Sequence, residues 1–336
     1  MAVAPGRAKR PQSWIKEKGP SAAAAADGSA EESPGIDENC PFCVTHEDRT
    51  PPETWALRPG GGTPNSPGWL VRTVPNLYPV LAPGEDGEVP DDNGDPLATG
   101  RGEPQLLVRL PAVGEHEVII HAPEHYTTLG SLPEEQFLHA LGGWQARLGA
   151  HPAASWIHLM VNEGASAGAS LAHSHAQLYA LRFVPVLAAR ERERFAAHNA
   201  RTMGGCLLCD LLQEEVKRRE RVIAVDDHAV LLAPHASRSP YELMLVPRAH
   251  AATFREAEAS AGLLLREGLR RLDRLLGASP PLNLWLRTAP RGAEHYHWRI
   301  EVVPRLTQLA GLELGAGISV NVLAPEEAAA QLRDAE

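Results

Sequence analysis

The sequence predicts an α+β chain whose fold is duplicated within one polypeptide, and three observations predict it. Short apolar runs with strand character alternate with stretches of helical periodicity. The order of these segments in the first half recurs in the second. Each half also opens its strand series after a Cys-x-x-Cys pair and carries histidines at matching offsets: His125 to His173 is 48 residues and His250 to His297 is 47. The logic is that of internal repeats, here with a long period. A chance echo of simple α+β patterns is the competing explanation, and the paired offsets weigh against it.

The elements follow in order. The segment before Cys40, rich in Ala, Gly, Ser and acidic residues, reads as a flexible insert over 20–39. "RPGGGTPNSPGW" and "APGEDGEVPDDNGDPLATGRGEP" read as loops, the second bordering a site. "WLVRTVPNLYPVLAP", "PQLLVRLPAV" and "HEVIIHAPEH" read as strands, and Leu132 to Leu148 as a helix. "SWIHLMVNEG" is a further strand, leading through "ASAGAS" into "LAHSHAQLYA". In the second half "ERVIAVDDHAVLLAP" and "PYELMLVPRAHAATF" echo the early strands, and a helix is expected from about Glu256 to Leu276. "LNLWLRTAP" then parallels "SWIHLMVNEG", and "HYHWRIEVVP" parallels "LAHSHAQLYA". The division expected is 1–195 and 200–336.

The chain has 336 residues, 43% of them hydrophobic, which suffices for one large or two medium cores. Its formal net charge of −10 disfavours nucleic-acid binding by bulk charge, while leaving room for local basic groups that hold a small phosphorylated ligand. No apolar run approaches the 18 or so residues of a membrane span, and no secretory signal is visible. A cytoplasmic location is expected, and there paired cysteines point to metal or redox chemistry rather than structural disulfides.

Aligning the halves offers two four-ligand sets: Cys40, Cys43, His125 and His173, then Cys206, Cys209, His250 and His297. Two thiolates with two imidazoles suit tetrahedral zinc with no open position, so both sites would be structural. A redox dithiol and unpaired core cysteines are the alternatives. A DNA-binding finger is excluded by spacing, since its histidines lie three to five residues apart. Within "LAHSHAQLYA", His173, His175 and Gln177 alternate on a strand and so share one face. Metal ligation, catalysis and ordinary surface placement all remain open for them on pattern alone.

The motifs "RAKRP", "CPFC", "VRTVPNLYPV", "HEVIIHAPEH", "NEGASAGASLAHSHAQ", "YELMLVPRAH", "HWRIEVVPRL" and "GLELGAG" occur in the order seen in galactose-1-phosphate uridylyltransferases, of the histidine-triad superfamily, and the chain resembles them over nearly its whole length. It resembles the plant-type ADP-glucose phosphorylase as well, through His-Ser-His where the uridylyltransferases usually have His-Pro-His, and through a second zinc set. The resemblance implies a duplicated histidine-triad (HIT-like) fold, each half an antiparallel sheet with packed helices, the nucleophile and first zinc site in the first half and the second zinc site in the other. It also implies a homodimer. The family opens with a strand ahead of "RAKRP" that Met1 would cut short, so an upstream start is expected.

By this resemblance His173 is a zinc ligand and His175 a nucleophile that attacks the α-phosphorus of a nucleotide diphosphate-sugar. Hexose 1-phosphate leaves, and a phosphorylated acceptor (hexose 1-phosphate or phosphate) then takes the nucleotidyl group in ping-pong fashion. A neutral imidazole suits this task if its other nitrogen is held as a donor. Gln177 can donate to a non-bridging phosphate oxygen. Hydrolytic relatives have histidine there, and glutamine cannot protonate a leaving group, so transferase is favoured over hydrolase. Asn162, Gly168 and Ser170 match nucleotide contacts, Arg7 and Arg10 phosphate contacts, Asn76 a ribose contact and Glu313 a hexose-hydroxyl contact. Packing turns, a solvated basic tail, a capping Asn and a surface Glu are the respective alternatives.

In the second half Arg299 stands where His175 does and Glu301 where Gln177 does, so one nucleophile per chain is expected, with no family-type iron site at Arg299. His46, His116, His121 and His295 receive no role. The function implied is UDP-glucose:hexose-1-phosphate uridylyl transfer. ADP-glucose phosphorolysis on the same fold and a non-catalytic zinc-stabilised binding protein are the alternatives.

Overall fold

A computed structural model describes residues 34–82 and 112–335. Arg7, Arg10, the proposed opening strand, most of the 20–39 insert, the loop after Pro83 and nearly all of "PQLLVRLPAV" lie outside the described residues.

Among the described residues, ten strands form one antiparallel sheet. They are β1 (Trp55–Leu57), β2 (Val71–Pro75), β3 (Gly114–Ile120), β4 (Trp156–Glu163), β5 (His175–Leu181), β6 (Val222–Val225), β7 (Ala229–Leu232), β8 (Leu243–Pro247), β9 (Leu282–Arg287) and β10 (Arg299–Pro304). The spatial order is β1-β2-β3-β5-β4-β9-β10-β8-β7-β6. Numbering the second set from its own start gives the same order, 1-2-3-5-4, mirrored about the β4–β9 seam. At that seam Leu159 faces Leu286, Val161 faces Leu284 and Asn162 faces Asn283.

Six α-helices among the described residues accompany the sheet: α1 (Glu134–Gly149), α2 (Val186–Thr202), α3 (Leu207–Arg218), α4 (Leu263–Leu276), α5 (Gly311–Ala316) and α6 (Pro325–Asp334). Side chains on a strand alternate between faces. On one face Ile119, Leu159, Val161, Ala176, Leu178, Leu284, Leu286, Ile300 and Val302 build the main core with Phe137, Leu141 and Trp144 of α1, Leu265, Leu269 and Leu272 of α4, and Leu332 of α6. The opposite face has smaller apolar clusters, one of Trp156 at the start of β4 with Val184, Ala188 and Ala189, and two toward its flanks. Cys40, Phe42, Cys43, Trp69, Val118 and Ile120 form one, and Phe195, Leu208, Val230, Leu232 and Tyr296 another. Between them the centre of this face is polar. That uneven covering positions the site.

The expected helix at Leu132–Leu148 forms as α1, closed by Arg147 in its last turn, where a cation complements the helix dipole. The helix expected from about Glu256 is shorter. Residues Phe254–Glu256 and Ala259–Gly262 form 3₁₀ turns, and α4 begins only at Leu263. "ERVIAVDDHAVLLAP" is a hairpin rather than one strand, turned at Asp226, whose carboxylate accepts the His228 and Ala229 N–H groups. The interval 195–200 between the two repeats lies inside α2, which no sequence pattern had marked. Among the described residues, no helix is long and apolar enough to cross a membrane.

One buried ion pair ties α1 to the sheet. Arg147 donates from Nε and from a terminal nitrogen to the two Glu117 oxygens, each at 2.8 Å, and Thr54 adds a bond at 2.9 Å. Burial alone would raise the Glu117 pKa, but hydrogen bonds from His151 and Arg147 hold it below the ordinary carboxylate value. A depressed carboxylate pKa contributes stability that is present above the unfolded pKa and lost as pH falls through the folded one. Arg147→Met is expected to cost about 3 kcal/mol near pH 7, because it strands a buried charge. In urea unfolding the deficit relative to wild type should shrink as the pH is lowered through the carboxylate range.

Candidate active site and metal centres

Two clusters of metal-ligating side chains are built as the repeat anticipates. Cys40, Cys43, His125 and His173 bring one ligand atom each within 4.8 Å of one another, and so do Cys206, Cys209, His250 and His297. In the first, Cys40 Sγ and His173 Nδ1 are 3.5 Å apart and Cys43 Sγ and His125 Nδ1 are 3.4 Å apart. In the second, Cys209 Sγ lies 3.3 Å from His297 Nδ1 and 3.6 Å from His250 Nδ1. These separations match the edges of a tetrahedron with metal–sulfur bonds of about 2.3 Å and metal–nitrogen bonds of about 2.0 Å. Either set could hold a metal ion, and the donor chemistry is compatible with zinc. The His173 pKa is pushed down to about 4 by burial, so its ring is the neutral ligand that a metal requires. His173 Nε2 lies 2.9 Å from the Ala122 carbonyl, an outer contact that orients the ring.

The two sets differ in how they are made. Cys40 and Cys43 sit in turns, whereas Cys206 caps α3 and Cys209 lies within its first turn. The first set is largely buried, while the second has an exposed histidine and two half-buried cysteines. His173 and His297 each stand two residues before a strand, not on it, since β5 begins at His175 and β10 at Arg299. The reading of three alternating side chains on one strand is corrected there. His173 lies in the turn that feeds β5, and the Ser174 N–H is used by the Tyr126 carbonyl rather than by a neighbouring strand.

From the first metal set the chain runs directly into the polar face. His175 Nδ1 is 2.7 Å from the His173 carbonyl oxygen. That acceptor makes Nδ1 the protonated nitrogen, so the lone pair of the neutral ring is on Nε2. Phe42, between the two cysteines of the first set, packs edge-on against His175 with ring centroids 5.3 Å apart.

Gln177 is the next residue on this face, and its amide is oriented by two donors. The Val80 N–H donates to His116 Nδ1 at 3.2 Å, which puts the His116 proton on Nε2, 3.1 Å from Gln177 Oε1. The Tyr179 hydroxyl donates to the same oxygen at 2.9 Å. With Oε1 taken twice, the Gln177 NH₂ is the end turned away from His116 and Tyr179. Asn76 lies beside this group, its Nδ2 3.2 Å from His116 Nε2, but in this tautomer both atoms are donors and the contact is not a hydrogen bond. His116 therefore has a place in the site that its sequence context did not disclose.

Asn162 ends the neighbouring strand, β4, and the second half of the chain orients it. Asn283 Nδ2 donates to Asn162 Oδ1 at 2.8 Å and to the Ala167 carbonyl at 2.8 Å, tying the turn 164–168 to β9. Gly164 (φ +78°) and Gly168 (φ +89°) hold left-handed backbone in this turn, and a Cβ on Gly164 would lie 2.9 Å from Pro281. Gly168 and Ser170 are exposed along its rim. Asn283 was not singled out from sequence, and only the cross-strand register reveals it. Glu313 stands apart: its carboxylate accepts the Ala310 N–H at the start of α5, 2.9 Å away.

At the equivalent place in the second half, Arg299 is half-buried among carboxylates. It donates to Glu301 Oε1 at 2.9 Å and pairs with Glu191. Trp285 Nε1 and Arg238 also donate to Glu301, each at 2.9 Å. Burial by itself would raise the Glu301 pKa, but the positive charges of Arg299, Arg287 and Arg238 pull it down to about 2. A guanidinium has no lone pair to offer, so the second half lacks a nucleophile at this position.

The chain is similar to known proteins over most of its length. The family described as galactose-1-phosphate uridyl transferase, N-terminal domain, matches residues 76–185. The chain is 29% identical to ADP-glucose phosphorylase of Arabidopsis thaliana, over 99% of this chain and 89% of that protein. It is 28% identical to galactose-1-phosphate uridylyltransferase of Haemophilus influenzae, over 89% of this chain and 78% of that one. The crystal structure of the Arabidopsis ADP-glucose phosphorylase with bound ADP-glucose superposes with a TM-score of 0.73 at 28% identity, over 89% of this chain and 91% of that chain. The chain is thus similar to the galactose-1-phosphate uridylyltransferases and to ADP-glucose phosphorylase over most of its length. Its fold is the duplicated histidine-triad fold that the resemblance implied.

Replacing one cysteine in either set should release about one equivalent of metal per chain and lower the melting temperature. Because the second set is the more exposed, metal analysis during chelator titration should show its ion leaving first. Cys209→Ser should remove that fast phase, and Cys43→Ser the slow one.

Proposed function

We propose that the chain is a nucleotidyltransferase acting on a nucleotide diphosphate-sugar through His175, with uridylyl transfer between UDP-glucose and a hexose 1-phosphate as the leading reaction. The observation that carries the proposal is the hydrogen bond from His175 Nδ1–H to the His173 carbonyl, which leaves the Nε2 lone pair as the attacking pair. Nε2 forms a bond to the α-phosphorus as the bond from that phosphorus to the bridging oxygen breaks. The departing hexose 1-phosphate keeps the electron pair and needs no proton. In the second step an oxygen of the acceptor phosphate attacks the same phosphorus, and the P–N bond returns its pair to Nε2.

The Gln177 NH₂, its oxygen already engaged, donates to a non-bridging oxygen where negative charge builds up. Asn162 and the backbone of the turn at Gly168 and Ser170 contact the nucleotide, with Asn76 at the ribose, Arg7 and Arg10 at phosphate and Glu313 at a hexose hydroxyl. Zinc, when bound, supplies no reactive position in either metal set, and in the first it anchors His173 beside the nucleophile. The two repeats, 1–195 and 200–336, divide the work, the first holding the nucleophile and the second completing the pocket.

A second reading, adenylyl transfer as an ADP-glucose phosphorylase with inorganic phosphate as acceptor, is favoured by the near-complete span of the match to the Arabidopsis enzyme. A cytoplasmic location goes with either reaction, since the cysteines are free and such thiols persist in a reducing compartment. Incubation with UDP-glucose or ADP-glucose labelled in the α-phosphate should leave acid-labile label on the protein, and His175→Gly should abolish it. Label from UDP-glucose alone supports the leading reaction and label from ADP-glucose alone the second. No label from either, with metal-replete folded protein, removes both.

The partner we propose is a second copy of this chain. Leu306, Leu309, Leu312, Leu314, Ile318, Val320 and Val322 are all exposed along one short segment around α5, an apolar strip of the kind that marks an interface. Sedimentation should give the mass of two chains, and Leu312→Glu with Leu314→Glu should give one.

A further inference from the structure

Ser174 separates the two imidazoles of the site, yet its side chain points away from the polar face. It is 2% exposed, and its Oγ lies 2.9 Å from His121 Nδ1. On the far side of that ring, Trp144 Nε1–H donates to His121 Nε2 at 3.0 Å. Both Trp144 and His121 are completely buried. An indole nitrogen can only donate, so His121 Nε2 must be the acceptor nitrogen. The neutral ring then carries its proton on Nδ1 and donates it to Ser174 Oγ. Burial, with the neighbouring histidines, keeps His121 neutral. The direction of every bond in this chain is therefore fixed by the indole.

The backbone of residue 174 is held as firmly. Its N–H donates to the Tyr126 carbonyl at 2.6 Å, and its carbonyl accepts the His121 N–H at 3.2 Å. Gln136 of α1 in turn grips the His121 carbonyl. The peptide that joins 173 to 174 bears the His173 carbonyl, the acceptor of His175 Nδ1–H. Turning that peptide would withdraw the acceptor and free the ring to change tautomer.

We propose that Trp144, His121 and Ser174 form a positioning relay that reaches from α1 through the sheet and fixes the tautomer and aim of His175. None of the three is catalytic, because none lies on the polar face. Ser174 consequently acts on the nucleophile and not on the base of the nucleotide, so the choice between uridine and adenosine belongs to other residues. A proline at 174 would forfeit the N–H bond to Tyr126, which makes His-Ser-His a distinct solution here and not an equivalent of His-Pro-His.

The relay's effect on rate rests on His175 being the nucleophile, so the test has two readouts. One is the single-turnover rate of protein labelling by whichever nucleotide sugar labels wild type. The other is the tautomer of His175, from long-range proton–nitrogen spectra of protein carrying ¹⁵N-histidine, which needs no substrate. Ser174→Ala and His121→Phe should each slow labelling about tenfold, the worth of one buried hydrogen bond, with nucleotide-sugar affinity and metal content unchanged. Both should also replace the single Nδ1–H tautomer of His175 by a mixture. His121→Asn, whose amide can donate where Nδ1 does, should restore labelling to within about twofold of wild type. A Ser174→Ala protein with the wild-type tautomer overturns the relay whether or not the protein labels. A rate loss that follows metal loss or weakened binding overturns it too. Failure of wild type to label would overturn the nucleophile assignment alone, and the spectra would still decide the relay.

Discussion

The antiparallel pairing of β4 with β9 is the constraint on which the rest of the molecule depends. It merges two half-sheets of identical strand order into one ten-stranded surface. Because side chains alternate across a strand, one register decides two things at once. It sends Leu159, Val161, Leu284 and Leu286 into the helix-covered core, and it sets Asn162 directly across from Asn283 on the polar face. A slip of one residue would exchange the two faces and lose both. The main core spans the seam without a break, so the halves are energetically one body even though each has its own metal set.

Within that frame the two repeats are unequal. The first places an imidazole with a defined lone pair beside an amide with a defined NH₂. The second places a guanidinium and a carboxylate at the same positions and saturates them with one another and with Glu191, Trp285 and Arg238. Such a buried network is stable only when every member is paired. It rigidifies β10 against β9 and α2 while contributing no reactive group. Asn283 shows what the second half does contribute, which is the orientation of a side chain that belongs to the first.

Much of this was legible in the sequence. The offsets of 48 and 47 residues between paired histidines pointed to both metal sets, and the two-residue spacing of His175 and Gln177 marked the polar face, although His173 lies off the strand. These signals are local or are repeated, and pattern reading detects both. His116, His121 and Asn283 were illegible for a physical reason: each acts through a partner up to 121 residues away, brought near only by strand register or helix packing. Helices α2 and α3 were missed because their outer faces are dense in charge and their inner faces are narrow, with three buried residues each. Ser174 entered the sequence reading only as the middle of His-Ser-His, and only the structure shows that its side chain faces the core while His175 faces the site.

The edge-on contact of Phe42 with His175 gives the first metal loop a second office. A knuckle closed by two sulfurs is a stiff object, and its middle residue rests on the ring that the site is built around. Loosening that loop would therefore shift an apolar wall of the His175 ring through a side chain that takes no part in the proposed chemistry.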